Sequence, residues 1–187
     1  MTYYHASPTA GIKTLIPYSK ENNGIFLYFS EKRENVLFYL GDAVKRYCLK
    51  TGYKHNGSFT KWTTYGFTAD GKLIYEEYYK NAAQDTYRGV SGYIYKVQNP
   101  SGLQSCGIPF AARADVPIKV TGCEFIEDAY DEILKAANAG LIILKKYEDL
   151  SEQRLIAIRN TVKSEFDNPS AGAEYQHFLR GKFPFLR

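Results

Sequence analysis

Two short stretches decide how this chain is read: Tyr3-Tyr4-His5-Ala6-Ser7-Pro8 at residues 3–8 and Ile25-Phe26-Leu27-Tyr28-Phe29-Ser30 at residues 25–30. The first is strand-like over residues 2–6 and stops at Ser7-Pro8, because proline lacks the N–H a ladder needs and restricts the residue before it. The second is apolar at odd and even positions alike, as expected of a strand buried on both faces. Between them, Ile12 to Pro17 reads as a short strand or loop, and Lys20 to Gly24 has turn composition. Ser30 then reads as the N-cap of a helix, with Glu31 in the first turn where the dipole favours an anion. Leu37, Leu40, Val44, Tyr47 and Cys48 fall on one stripe, which carries that helix to about Lys50, before Gly52.

Outward from these stretches the pattern mixes strands and helices. Phe59 to Phe67 and Lys72 to Tyr79 read as a hairpin joined by Ala69-Asp70-Gly71, followed by a polar helical turn over Lys80 to Tyr87. Strands are expected over Ser91 to Gln98, Ile108 to Ala114, Ile118 to Ile126 and Leu141 to Leu144. Helices are expected over Asp128 to Ala139, stopped by Gly140, and after Ser151, where Leu155, Ile158, Val162 and Phe166 share a stripe. The tail from Asn168 reads as irregular, with an aromatic, basic end from Phe178 that docks on the body. The expected fold class is α+β, with split antiparallel sheets and flanking helices. With 187 residues and no repeat or linker, the chain is expected to form a single domain over 1–187. Its core spans about 2–127, with an inserted hairpin at about 59–79 and a C-terminal helical extension over about 128–187.

Composition narrows the chemistry. Apolar residues make up 44% and charged ones 24%, enough for a packed core, and the net charge of +4 is too small and too scattered for a duplex-binding stripe. Seventeen tyrosines and eleven phenylalanines suit half-buried strands and cleft walls. The three cysteines, Cys48, Cys106 and Cys123, lie far apart with no CxxC pair, which reads as reduced thiols. The start lacks a basic-plus-apolar leader, and no run approaches the ~18 apolar residues of a membrane span. A cytoplasmic location with no membrane partner is expected.

The candidate chemistry centres on His5 and Tyr28. A histidine at a strand end is most often structural, yet its ring can bond a ribose hydroxyl or phosphate, and Ser7, two residues on, shares its face. Tyr28 is either core packing or a stacking platform for a flat heterocycle. His5, His55 and His177 have no ligand spacing, so no metal is expected, and no glycine-rich phosphate loop is present. Arg33, Arg88 and Arg113 are candidates for pyrophosphate.

The run Tyr4-His5-Ala6-Ser7, followed by Leu27-Tyr28-Phe29-Ser30, resembles the ADP-ribosyltransferase fold. It is most similar to the branch holding rifampin ADP-ribosyltransferases, poly-ADP-ribose polymerases and RNA 2′-phosphotransferases. Gly92-Tyr93-Ile94-Tyr95-Lys96-Val97 and Pro117-Ile118-Lys119-Val120-Thr121-Gly122 match two further strands of that branch, so the resemblance covers about residues 3–126. It implies NAD as co-substrate and transfer of ADP-ribose to an acceptor that the residues do not identify. His5 would hold the adenosine-side ribose, Ser7 the nicotinamide-side ribose or phosphate, and Tyr28 would stack on the nicotinamide. The family's third residue, usually Glu, is missing from Leu103-Gln104-Ser105-Cys106-Gly107, where Gln104 alone can orient an acceptor. Asp115 is preferred for that role over Glu77, which with Glu76 offers one carboxylate on each face of its strand. Two other readings remain open: a non-catalytic module that binds NAD, ADP-ribose or a nucleic-acid end, and an interaction scaffold without ligand.

Overall fold

The computed structural model describes residues 1–21 and 24–186. In chain order the elements begin with β1 (Thr2–Ser7), β2 (Thr14–Leu15), β3 (Ser19–Glu21) and β4 (Gly24–Ser30), followed by a 3-10 helix (Arg33–Tyr39) and α1 (Ala43–Thr51). Next come β5 (Tyr65–Phe67), β6 (Leu73–Glu76), α2 (Ala82–Tyr87), β7 (Gly92–Gln98), β8 (Gln104–Ser105), β9 (Ala111–Ala114), β10 (Ile118–Lys119) and β11 (Gly122–Ile126). The chain continues through α3 (Ala129–Asn138), β12 (Ile143–Lys145), α4 (Glu152–Asp167) and α5 (Ala173–Lys182). This is an α+β protein of antiparallel sheets with flanking helices.

Several elements differ from the expectation for local reasons. Ser30 does not cap a helix: it is the buried last residue of β4, and its Oγ accepts the Lys32 N–H at 3.0 Å. The expected helix is two pieces, because Asp42, extended at φ −141°, starts α1 afresh and accepts the Lys45 N–H at 2.9 Å. Residues 118–126 are two strands, β10 pairing with β2 and β11 with β7. Over residues 59–67 only Tyr65–Phe67 is strand, since Phe59 and Trp62 pack instead against a helical core. The tail is not irregular: α5 follows Gly172, and its Tyr175, Phe178 and Leu179, spaced i, i+3, i+4, are buried. The turn expected at residues 20–24 includes Asn22 and Asn23, which lie outside the described residues.

The chain divides into two compact units, one of residues 1–41, 67–73 and 87–143, the other of 42–66, 74–86 and 144–187. In the first, the main sheet runs β11-β7-β1-β4-β9-β8, with β3 added to β4. Along β1 and β7 the ladder is continuous from Thr2↔Gln98 to Ser7↔Tyr93, whereas β1 meets β4 at Tyr4↔Ser30. One layer of core holds Leu15, Leu27, Phe29, Tyr95, Val97, Ala114 and Ile118, while the 3-10 helix packs on β1, β4, β7 and α3. Gly92 is required by that packing: an added Cβ would stand 2.5 Å from Leu40 Cδ2 and 3.1 Å from the Ser7 carbonyl oxygen.

Arg33 ties the 3-10 helix to two neighbours, donating to Glu124 at 3.0 and 2.7 Å and to Glu132 at 2.9 Å. The Arg33 hydrogen bond holds the Glu124 carboxyl below its ordinary 4.5, and Lys135 and then Arg33 do the same for Glu132. In the second unit, α1, α4 and α5 enclose Val44, Cys48, Ile158, Val162, Phe178, Leu179 and Phe183. Its short sheet follows the order β12-β6-β5.

Two stability predictions follow from the first unit. Gly92→Ala should destabilise the protein by ~1–3 kcal/mol through overpacking, read as a lower urea midpoint, and an unchanged midpoint would contradict the Leu40 contact. Depressed folded-state values mean that the Glu124 and Glu132 contributions are complete above about pH 4.5 and drain away as pH falls through the lower folded values. Glu124→Gln should therefore flatten the fall of stability below about pH 4.5, as followed by urea titrations at several pH values.

Candidate functional site

The site is organised by the place where β1 parts from β4. Beyond Tyr4↔Ser30, His5 Nδ1 lies 2.8 Å from the main-chain carbonyl oxygen of Tyr28. A carbonyl only accepts, so Nδ1 carries the hydrogen that bonds it. His5 is 3% exposed. The rings of Phe29, Tyr18 and Tyr39 surround it at centroid distances of 6.0, 6.2 and 6.5 Å, and Tyr18 is itself 63% exposed.

From Tyr28 the register extends the site across two more strands. Tyr28 stands opposite Arg113 on β9, and Arg113 stands opposite Gln104 on β8. Directly opposed residues of antiparallel strands project to the same face, so the three side chains form one row. Asp115, two residues beyond Arg113, joins it: its Oδ2 accepts the Gln104 amide N–H at 3.2 Å. Phe26, two residues before Tyr28, carries the Arg113 guanidinium 4.0 Å above its ring. That contact desolvates one side of the cation and fixes its plane.

The other sequence candidates are placed as follows. Ser7 ends β1, where its Oγ accepts the Thr9 N–H at 3.2 Å, a local turn bond. Glu77 belongs to the second unit and is 4% exposed. Its two carboxylate oxygens accept the Ala83 N–H at 2.9 Å and the Tyr147 N–H at 3.3 Å. Glu76 takes the Arg154 guanidinium, with Nε at 2.9 Å. Arg33 is committed to Glu124 and Glu132, and Arg88 pairs with Asp131 at 3.7 Å and lies over Tyr130. Thus the structure brings Tyr28, Arg113, Gln104 and Asp115 together, while His5 touches this row only at the Tyr28 main-chain carbonyl, its ring lying beside Phe29 on the opposite face, and the Glu77 carboxylate accepts from backbone N–H groups of the second unit. Sequence reading missed Phe26 as the partner of Arg113 and the short strand β8. The Phe26-x-Tyr28 spacing, two residues apart on a strand, was the available signal for the first.

No family model matches this chain, and neither a curated protein nor a solved structure is similar to it. Among the described residues, no helix is long and apolar enough to cross a membrane.

The different settings of the two acids make a measurable contrast. Glu77→Gln turns an amide N–H₂ toward a backbone N–H and should destabilise the protein by ~1–3 kcal/mol. Exposed Asp115→Asn should change stability by under ~0.5 kcal/mol, and equal effects in a urea series would contradict the placement.

Proposed function

We propose that the protein is ADP-ribosyltransferase-like, binds NAD where β1 and β4 part, and transfers its ADP-ribose to an acceptor. The observation that carries this reading is the His5–Tyr28 bond beside the row Tyr28–Arg113–Gln104. Tyr28 offers a ring for the nicotinamide, and Arg113 a planar fork for pyrophosphate. His5, bonded to the Tyr28 carbonyl, fixes the strand that presents the Tyr28 ring. In the transfer, the bond between nicotinamide nitrogen and ribose C1 breaks and its electron pair leaves with nicotinamide. The acceptor's lone pair then forms the new bond at C1 and the acceptor gives up its proton. Asp115 supplies the negative charge that stabilises the cationic ribose, and Gln104 holds that carboxylate in place.

A second reading is a module that binds NAD or ADP-ribose without turnover. It is favoured by the position of Asp115, exposed just past the end of β9, where Gln104 already occupies one of its oxygens.

Titration with NAD, together with assay of released nicotinamide, separates the readings. Tyr28→Ala and Arg113→Gln should each weaken NAD binding by ~1–3 kcal/mol. Asp115→Asn should stop nicotinamide release while NAD still binds. Binding without release by the unaltered protein would leave the module, and an absence of NAD binding would overturn both.

A further inference from the structure

We infer that the second unit carries a small-molecule site, independent of the NAD reading, that takes the dianionic head of a phosphate monoester. A hollow of about 170 Å³ lies wholly within this unit, lined among others by Arg46, Tyr47, Lys50, Tyr79, Asp85 and Lys182. Arg46, Tyr47 and Lys50 share one face of α1, Tyr79 comes from the turn before α2 and Asp85 from α2 itself, and Lys182 ends α5. Lys50 is exposed, and every other lining residue is partly or wholly buried.

The hollow gathers more positive charge than its own acid answers. Asp85 is the one acid among its lining residues, and that carboxylate is bonded to the Lys182 ammonium. Among the described residues, neither Arg46 nor Lys50 forms an ion pair. Like charges four residues apart on a helix repel, and an anion held between them turns that repulsion into attraction. Three cations against one carboxylate leave an excess of two positive charges. A phosphate monoester matches that excess: its second pKa is about 6, so it is close to a dianion at pH 7, whereas a carboxylate or a sulfate ester carries a single charge.

The walls hold these cations in a fixed arrangement. Lys182 Nζ stands 5.1 Å from the centre of the Tyr47 ring and 5.0 Å from that of Tyr79, and its side chain is 17% exposed. Two rings and one carboxylate therefore pin an ammonium that is largely withdrawn from water. Gly181 makes room for the Tyr47 ring against α5, where a Cβ would come within 1.8 Å of Tyr47 Oη. Burial pushes the Tyr79 hydroxyl well above its ordinary 10.0, so it stays neutral and adds no negative charge to the hollow. Arg46 offers a planar fork and the two lysines point charges, the two ways in which side chains hold phosphate oxygens. The volume is that of about six waters in the liquid and is smaller than the ~300–1,000 Å³ of most cofactor sites, which suits a phosphoryl head and excludes a dinucleotide.

Calorimetric titration of the full chain with phenyl phosphate at about pH 7.5 tests the assignment. The control is phenyl sulfate, which keeps the tetrahedral head and carries one charge. Phenyl phosphate should bind saturably and phenyl sulfate at least tenfold more weakly. Excess NAD, which has no monoester phosphate, should leave that binding unchanged. Arg46→Gln and Lys50→Gln should each weaken it about fivefold, with the thermal midpoint unchanged because neither side chain is wholly buried. At about pH 5, below the second pKa of the ester, the preference over phenyl sulfate should collapse. No saturable binding of phenyl phosphate, equal binding of phenyl sulfate at about pH 7.5, displacement by NAD, or unchanged affinity in the Arg46→Gln, Lys50→Gln double variant would overturn the proposal.

Discussion

The hydrogen bond between the His5 ring and the Tyr28 carbonyl is the constraint on which the first unit's architecture turns. Where β1 leaves β4, backbone groups of both strands lose their ladder partners, and a buried carbonyl must find another donor. The imidazole supplies it, and in doing so fixes its own tautomer and orientation. Aromatic rings from three segments pack around it and hold the ring on the rotamer that reaches the carbonyl. A histidine there is therefore structural: Nδ1 is committed to the fold.

The same strand geometry decides which polar groups act together. Tyr28, Arg113 and Gln104 are far apart in the chain, yet antiparallel pairing across β4, β9 and β8 sets them side by side. Asp115 follows because it lies two residues beyond Arg113 on the same face. The carboxylates of Glu76 and Glu77 are drawn into local bonds of the second unit, with Arg154 and with two backbone N–H groups. Burial is what separates these acids: at 4% exposure, the Glu77 carboxyl requires its backbone donors, whereas Asp115 is exposed.

Much of the secondary structure was legible because it rests on local chemistry. Strands β1 and β7, the continuous apolar run of β4, the cap at Ser151, and the stops at Gly52 and Gly140 were each readable from local composition, capping or a left-handed glycine. Ser30 misled because a serine before an acid is a fair cap, and nothing local shows that Asp42 caps the helix better. The tail misled because Asn168-Pro169-Ser170 breaks α4 so strongly that the short aromatic stripe of α5 is overlooked. Phe59 and Trp62 have strand-forming side chains but are held by a helical core contributed from later in the chain.

The sequence by itself determined the class of the protein: an α+β chain whose apolar periods and turn residues allow few alternatives over most of its length. It also marked His5 and Tyr28 as the pair to examine. Tertiary structure alone decided that their link runs through a main-chain carbonyl, and that Gln104 and Asp115 bond to each other. It alone showed that Arg46, Lys50 and Lys182 border one hollow. The reason is physical: propensity, capping and alternation act over a few residues, whereas strand register and burial are settled by contacts between segments distant in the chain, and these decide which polar groups are satisfied.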